Sequence, residues 1–127
     1  MKFISPKIHG LIDYFSIVFF LISPAVFGFT GFAAILCYAL GGAHLLLTLF
    51  TSFPLGLIKL VPVGVHALIE LVVGVGLVAL ALSVFRHTSE NSFLYFDIAG
   101  TLVLLTWAVT DYRGVSHQPE TSIRELD

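Results

Sequence analysis

Four apolar stretches, each about as long as a bilayer is thick, decide what this chain can fold into. They fall near residues 8–28, 32–53, 63–85 and 93–112. A hydrocarbon core of roughly 30 Å is crossed by about 20 residues of helix. Lipid offers backbone groups no hydrogen-bond partner, so an apolar span without strand alternation has to be a helix. The stretches leave little chain over. The expected architecture is all-α: a single polytopic membrane domain over 1–127 with four transmembrane helices from two parallel-repeat helical hairpins. The hairpins would occupy 6–53 and 63–112, with an interfacial connection at 54–62 and a polar tail at 113–127.

Composition excludes the soluble alternative. Hydrophobic residues make up 57% of the chain and charged ones 11%, against about 25% charged in a soluble domain. So few charges cannot cover a small fold, which has the most surface per volume. The opening Met-Lys-Phe-Ile-Ser-Pro-Lys has the outline of a signal peptide, but Asp13 interrupts the apolar run early and no small-x-small site follows. The expectation is an uncleaved first helix. Cys37 is the only cysteine, which rules out an intramolecular disulfide and CxxC chemistry; it reads as a small buried hydrophobe. Lys2, Lys7, Lys59, Arg113 and Arg124 fall on one side of the membrane and Arg86 on the other. Basic residues mark the cytoplasmic side, so the expected location is a bacterial inner membrane with both termini cytoplasmic. The bilayer is the first partner; a homo-oligomer or other membrane proteins are the further candidates. No basic patch points to nucleic acid.

The second half of the chain repeats the first. His9-Gly10-Leu11-Ile12-Asp13 returns as His66-Ala67-Leu68-Ile69-Glu70, fifty-seven positions later. Gly42, Leu46, Leu47 and Thr48 return as Gly100, Leu104, Leu105 and Thr106 after fifty-eight. Each unit holds two helices, so both copies enter the membrane in the same sense and a pseudo-twofold axis along its normal is expected. Ser5-Pro6 starts the first helix and Pro62 the third. Pro54 is expected to close the second, and Gly114 follows the fourth. Apolar residues of the connection, Leu55 to Val61, are expected at the interface with Lys59 reaching towards lipid phosphates. Pro24 should kink the first helix by freeing the carbonyl of Phe20, with Ser23 placed to satisfy loosened carbonyls.

Two helices per repeat with Ser23-Pro24 late in the first resemble the SPW-repeat membrane proteins. The likeness spans residues 9–53 and, less closely, 66–112; Ala25 stands where that family has tryptophan, and Leu80-Ala81 lies near the equivalent position. The resemblance implies a small membrane protein of hairpin repeats and brings no reaction or functional residues with it.

Ionisable groups inside a bilayer cost roughly 2.5–3.5 kcal/mol each at a helix centre. His9/Asp13 and His66/Glu70 are i,i+4 pairs, so each shares a helix face. The duplication sets both pairs at one depth. His44 on the second helix lies nine residues before position 53, about 13 Å along the axis, and its counterpart in the repeat is Leu102. Thr48 and Thr51 share its face. Asp97 and Asp111 sit near opposite ends of the fourth helix.

Histidine with carboxylate suits a divalent metal such as zinc or iron, and His9, Asp13, His44, His66 and Glu70 are the candidate ligands. Haem on His9 and His66 is the less favoured cofactor, because each has an acidic neighbour close to the interface. The same residues suit a proton or ion path, and equally a structural or partner-binding component in which the pairs set helix register. Gly41-Gly42, Gly74-x-Gly76 and Ala99-Gly100 offer surfaces for close helix approach. Tyr14, Trp107 and Tyr112 read as an aromatic belt; His87 and His117 carry no role. The sequence has no GxSxG, HExxH or Walker motif, so a catalytic residue is not assigned.

Overall fold

The computed structural model describes residues 2–115. It is all-α, with four helices in two hairpins: α1 (Pro6–Phe27) with α2 (Gly31–Leu49), and α3 (Val63–Ser83) with α4 (Glu90–Val109). Short 3₁₀ turns follow at Phe85–His87 and Tyr112–Val115. All four helices are long and apolar enough to cross a membrane. His117, Arg124 and most of the polar tail lie outside the described residues.

The helices begin where local chemistry starts them. Ser5 Oγ accepts the Ile8 N–H (3.3 Å) and Pro6 opens α1, while Ser89 Oγ accepts the Ser92 N–H (3.3 Å) at the start of α4. Each satisfies an N–H that has no intrahelical acceptor. Gly28, at φ 67°, closes α1 in the left-handed region that favours glycine. Ser23 donates to the Phe19 carbonyl (2.6 Å) in the turn loosened by Pro24, and receives the Tyr95 hydroxyl (2.7 Å).

Helix α2 stops earlier than its apolar run suggests, at Leu49. The Leu49 carbonyl accepts from Leu57 and Ile58 (2.8 and 3.0 Å), and the Phe50 carbonyl from Leu60 and Val61 (3.1 and 2.7 Å). The connection folds back and caps the helix end, so Pro54 is not the stop. Lys59 is exposed on the connection and donates to the Phe53 carbonyl (3.0 Å).

The burial pattern is the reverse of a soluble bundle. On α1 the inward stripe is His9, Gly10, Asp13, Ile17, Phe20 and Ser23, while Phe15, Val18, Ile22 and Val26 face outwards. Within each hairpin small residues let backbones approach. A Cβ on Gly41 would meet Leu21 and the Ile17 carbonyl, and one on Gly100 would meet Gly74 and Leu77. Gly42 has open space around it, so only Gly41 of that pair is a contact.

Between hairpins, aromatic rings meet at one end, with Phe29 on Phe96 (6.2 Å between centroids) and Phe32 on Phe85 (5.8 Å). At the other end the backbone makes matching ties. Ile4 donates to Val109 (3.1 Å) and accepts from Asp111 (2.8 Å); Val61 donates to Phe50 (2.7 Å) and accepts from Ser52 (2.8 Å). Ile4 and Val61 differ by fifty-seven positions, whereas Val109 and Phe50 differ by fifty-nine. This moves the correspondence of α2 with α4 by one residue from the fifty-eight read off the sequence, and the counterpart of His44 becomes Val103 instead of Leu102. Apolar helices tolerate a one-residue slip in identity matching; backbone hydrogen bonds do not.

Candidate metal centre

Four residues converge between the starts of α1 and α3. His9, Asp13, His66 and Glu70 each offer a nitrogen or oxygen donor, and these donor atoms all lie within 4.8 Å of one another. All four side chains are buried. His9 Nε2 stands 3.1 Å from Glu70 Oε1 and 3.3 Å from Asp13 Oδ1. His66 Nε2 stands 3.4 Å from Asp13 Oδ2 and 3.5 Å from Glu70 Oε1. Each carboxylate therefore faces both imidazoles, its own i+4 neighbour and that of the other hairpin. His44 adds a fifth donor from α2, its Nε2 3.5 Å from Asp13 Oδ1. Asp97 and Asp111 are not in this group; Asp111 accepts the Arg113 backbone N–H (3.1 Å).

The other ring nitrogens decide the chemistry. His9 Nδ1 is 2.8 Å from Thr110 Oγ1, and His66 Nδ1 is 2.7 Å from Thr51 Oγ1. Each threonine already donates its only hydroxyl hydrogen to the carbonyl four residues back, Thr110 to Thr106 and Thr51 to Leu47, both at 2.6 Å. A hydroxyl that has spent its hydrogen can only accept. Both histidines therefore carry a hydrogen on Nδ1 and donate it to threonine. In a neutral imidazole this leaves the Nε2 lone pair free, pointed at carboxylate oxygens. The threonines sit where α2 and α4 end, so each hairpin fixes the tautomer of the other hairpin's histidine.

Lone pairs facing carboxylates repel unless positive charge lies between them. Buried carboxylates raise that demand, since each unpaired ion costs several kcal/mol. Asp13 Oδ2, His66 Nε2 and His44 Nε2 are buried with no hydrogen-bond partner. A cation at the centre or protons on Nε2 would satisfy them. The spacing suits a cation. Four ligands at about 2.0 Å from zinc in a tetrahedron stand about 3.3 Å apart; the imidazole–carboxylate contacts run from 3.1 to 3.5 Å through both oxygens of Asp13, and one donor atom from each residue lies within 4.8 Å of the others, so the side chains would draw in around the ion. A porphyrin does not fit, because the carboxylates occupy the space between His9 and His66 that its plane would need.

Tyr112, read from sequence as part of an aromatic belt, donates its hydroxyl to Glu70 Oε2 (2.8 Å). Burial first, and then the Glu70 charge, push its phenol well above the ordinary tyrosine range, so it remains a donor. Tyr14 donates to the Leu55 carbonyl (2.8 Å), and the Lys2 ammonium lies 5.9 Å over the Trp107 ring. Thr110 and Tyr112 are site residues that sequence reasoning missed, and Thr51, read only as sharing the His44 face, is the partner of His66. Their signal was a threonine just past the last apolar turn of α2 and of α4. Comparison with protein-family models, with curated proteins and with solved structures finds no match to this chain.

Proposed function

We propose that this chain is a small multi-pass membrane protein that holds one divalent transition metal of the zinc or iron class in the middle of its bundle. His9, Asp13, His66 and Glu70 are the ligands, with His44 completing the set. The observation that carries the reading is the threonine arrangement: both Nδ1 hydrogens are committed outwards, leaving two Nε2 atoms aimed at two carboxylates. A hydrogen bond from the far ring nitrogen fixes the tautomer and orientation of a metal-bound histidine. Parallel hairpin repeats, like those of the SPW-repeat proteins, give the site its near symmetry. The bias of Lys2, Lys7, Lys59 and Arg113 puts it at the cytoplasmic end of the bundle.

Metal content of the protein purified in mild detergent tests this directly. About one equivalent per chain is expected, falling as pH drops through the imidazole range because the ligands must be deprotonated. A folded protein free of metal at neutral pH, and taking up none on dialysis against zinc or iron(II), would sink the reading. The Thr51→Val/Thr110→Val double variant should lower metal affinity about 10–100-fold, and serine at both positions should restore it. Competition with a chromophoric chelator measures both.

A second reading has one contact in its favour: the 3.1 Å between His9 and Glu70 also suits a direct charged hydrogen bond. In that case protonated imidazoles and the two carboxylates form a polar joint between the hairpins. Its role is structural, a site for a partner, or a proton path. Metal-free protein whose stability falls on loss of His9 would favour it.

A further inference from the structure

The centre is closed towards the end of the bundle and open sideways. At the end, Pro6, Phe53 and Tyr112 leave a pocket of only about 10 Å³ over His9, Asp13 and His66, room for about one water. Sideways, the two hairpins part at mid-depth. A cleft of about 500 Å³ opens between α2 and α3, and one of about 330 Å³ on the opposite side between α1 and α4. Both reach His44 and Glu70, and the second also reaches Asp13, whose Oδ2 has no hydrogen-bond partner. The walls of the larger cleft are apolar, formed by Leu40, Ala43 and Leu47 on one side and Ile69 and Val73 on the other. Its volume falls within the 300–1,000 Å³ of small-molecule sites.

We propose that the α2–α3 cleft admits a lipid-soluble ligand from the bilayer, its hydrocarbon part lying between Ala43 and Val73 and a terminal oxygen donor reaching the centre beside His44 and Glu70. The proposal rests on the metal reading. Charge and shape select this occupant. The cleft opens through outward apolar surface, so what enters is already dissolved in lipid; its inner end meets donors that need a cation, and five protein ligands leave one position for an oxygen donor on an iron- or cobalt-class ion that takes six. At the Phe53–Tyr112 end the described residues leave no comparable opening, and a short ligand with no chain to seat has the α1–α4 cleft as a second way to the centre.

The test uses cobalt(II)-loaded protein in phosphatidylcholine nanodiscs, with octanohydroxamate and acetohydroxamate as probes and the visible cobalt bands as readout. Ala43→Phe and Val73→Phe fill the cleft from opposite walls and touch no ligand. Octanohydroxamate is expected to shift the bands of the wild type. Each filled variant should keep its cobalt and bind octanohydroxamate at least about tenfold more weakly, with acetohydroxamate binding unchanged. Cobalt-loaded variants that bind the long probe as the wild type does would overturn the lateral route while leaving the metal centre standing. Equal weakening of both probes would also overturn it, since the substitutions would then act on the metal. A dimer that Ala43→Phe dissociates would overturn it too, making the cleft a seat for a second copy. A wild-type protein that takes up no cobalt overturns the metal reading and this proposal together.

Discussion

Replacing His9 and His66 together with alanine is expected to empty the centre, taking bound metal from near one equivalent per chain to background. The loss in affinity should exceed the roughly 100-fold that removing an outer partner can cause, because half of the four converging donors disappear. Histidine carries the selectivity for a transition metal here; the two carboxylates that remain would suit a harder cation. The double variant also leaves Asp13 and Glu70 buried without imidazole partners. Breaking a buried pair from one side costs about 3–5 kcal/mol, so stability should fall as well. Adding Asp13→Asn and Glu70→Gln separates the two effects: the quadruple variant should regain stability and still bind no metal. Elemental mass spectrometry with circular dichroism reads both quantities. Metal retained by a folded double variant would place the ligands elsewhere.

Gly100→Leu is expected to give the largest loss of stability away from the centre. A Cβ there would lie 2.9 Å from the Gly74 carbonyl oxygen, Leu77 Cβ and Val78 Cγ2. The backbone oxygen cannot swing aside, so α3 and α4 must separate. Overpacking by even a methyl group costs typically about 1–3 kcal/mol, and leucine should cost more. Without a hydrophobic force between helices in lipid, close packing is most of what holds such a pair together. Gly42→Ala makes the contrast, since nothing lies within 4 Å of its added methyl; it should be neutral or stabilise by up to about 1 kcal/mol through helix propensity. Cys37, fully buried and the only thiol, supplies the readout. A thiol-reactive fluorophore should label Gly100→Leu at markedly lower temperature than wild type and Gly42→Ala at the same or a higher one. Equal labelling temperatures for Gly100→Leu and wild type would show that the α3–α4 contact contributes little.

The i,i+4 spacing of His9 with Asp13 and of His66 with Glu70 was legible because helix geometry alone puts such pairs on one face. The recurrence of the five-residue block pointed to two such faces at one depth, and both turn inwards in the structure. His44 was legible as a costly group in an apolar stretch. Its distance from Asp13 was not, because that depended on α2 ending at Leu49 under the folded-back connection. The roles of Thr51, Thr110 and Tyr112 were hidden for a related reason. A threonine is polar enough to end a helix and a tyrosine amphipathic enough for an interface, so local chemistry explained them without any partner.

Sequence by itself thus determined the quantities set by solvent and by helix periodicity: four apolar helices, their pairing into hairpins through short turns, and the ionisable residues that share a face. These follow from the cost of bare backbone and of charge in hydrocarbon, which each segment meets on its own. Tertiary structure decided what depends on two segments at once. Only it placed each hairpin's histidine against the other hairpin's threonine, fixed the one-residue register between α2 and α4, and left the centre open to the sides. Those choices rest on contacts of about 3 Å between residues of different hairpins, His66 with Thr51 and His9 with Thr110 and Glu70, and no local preference in an apolar helix specifies them.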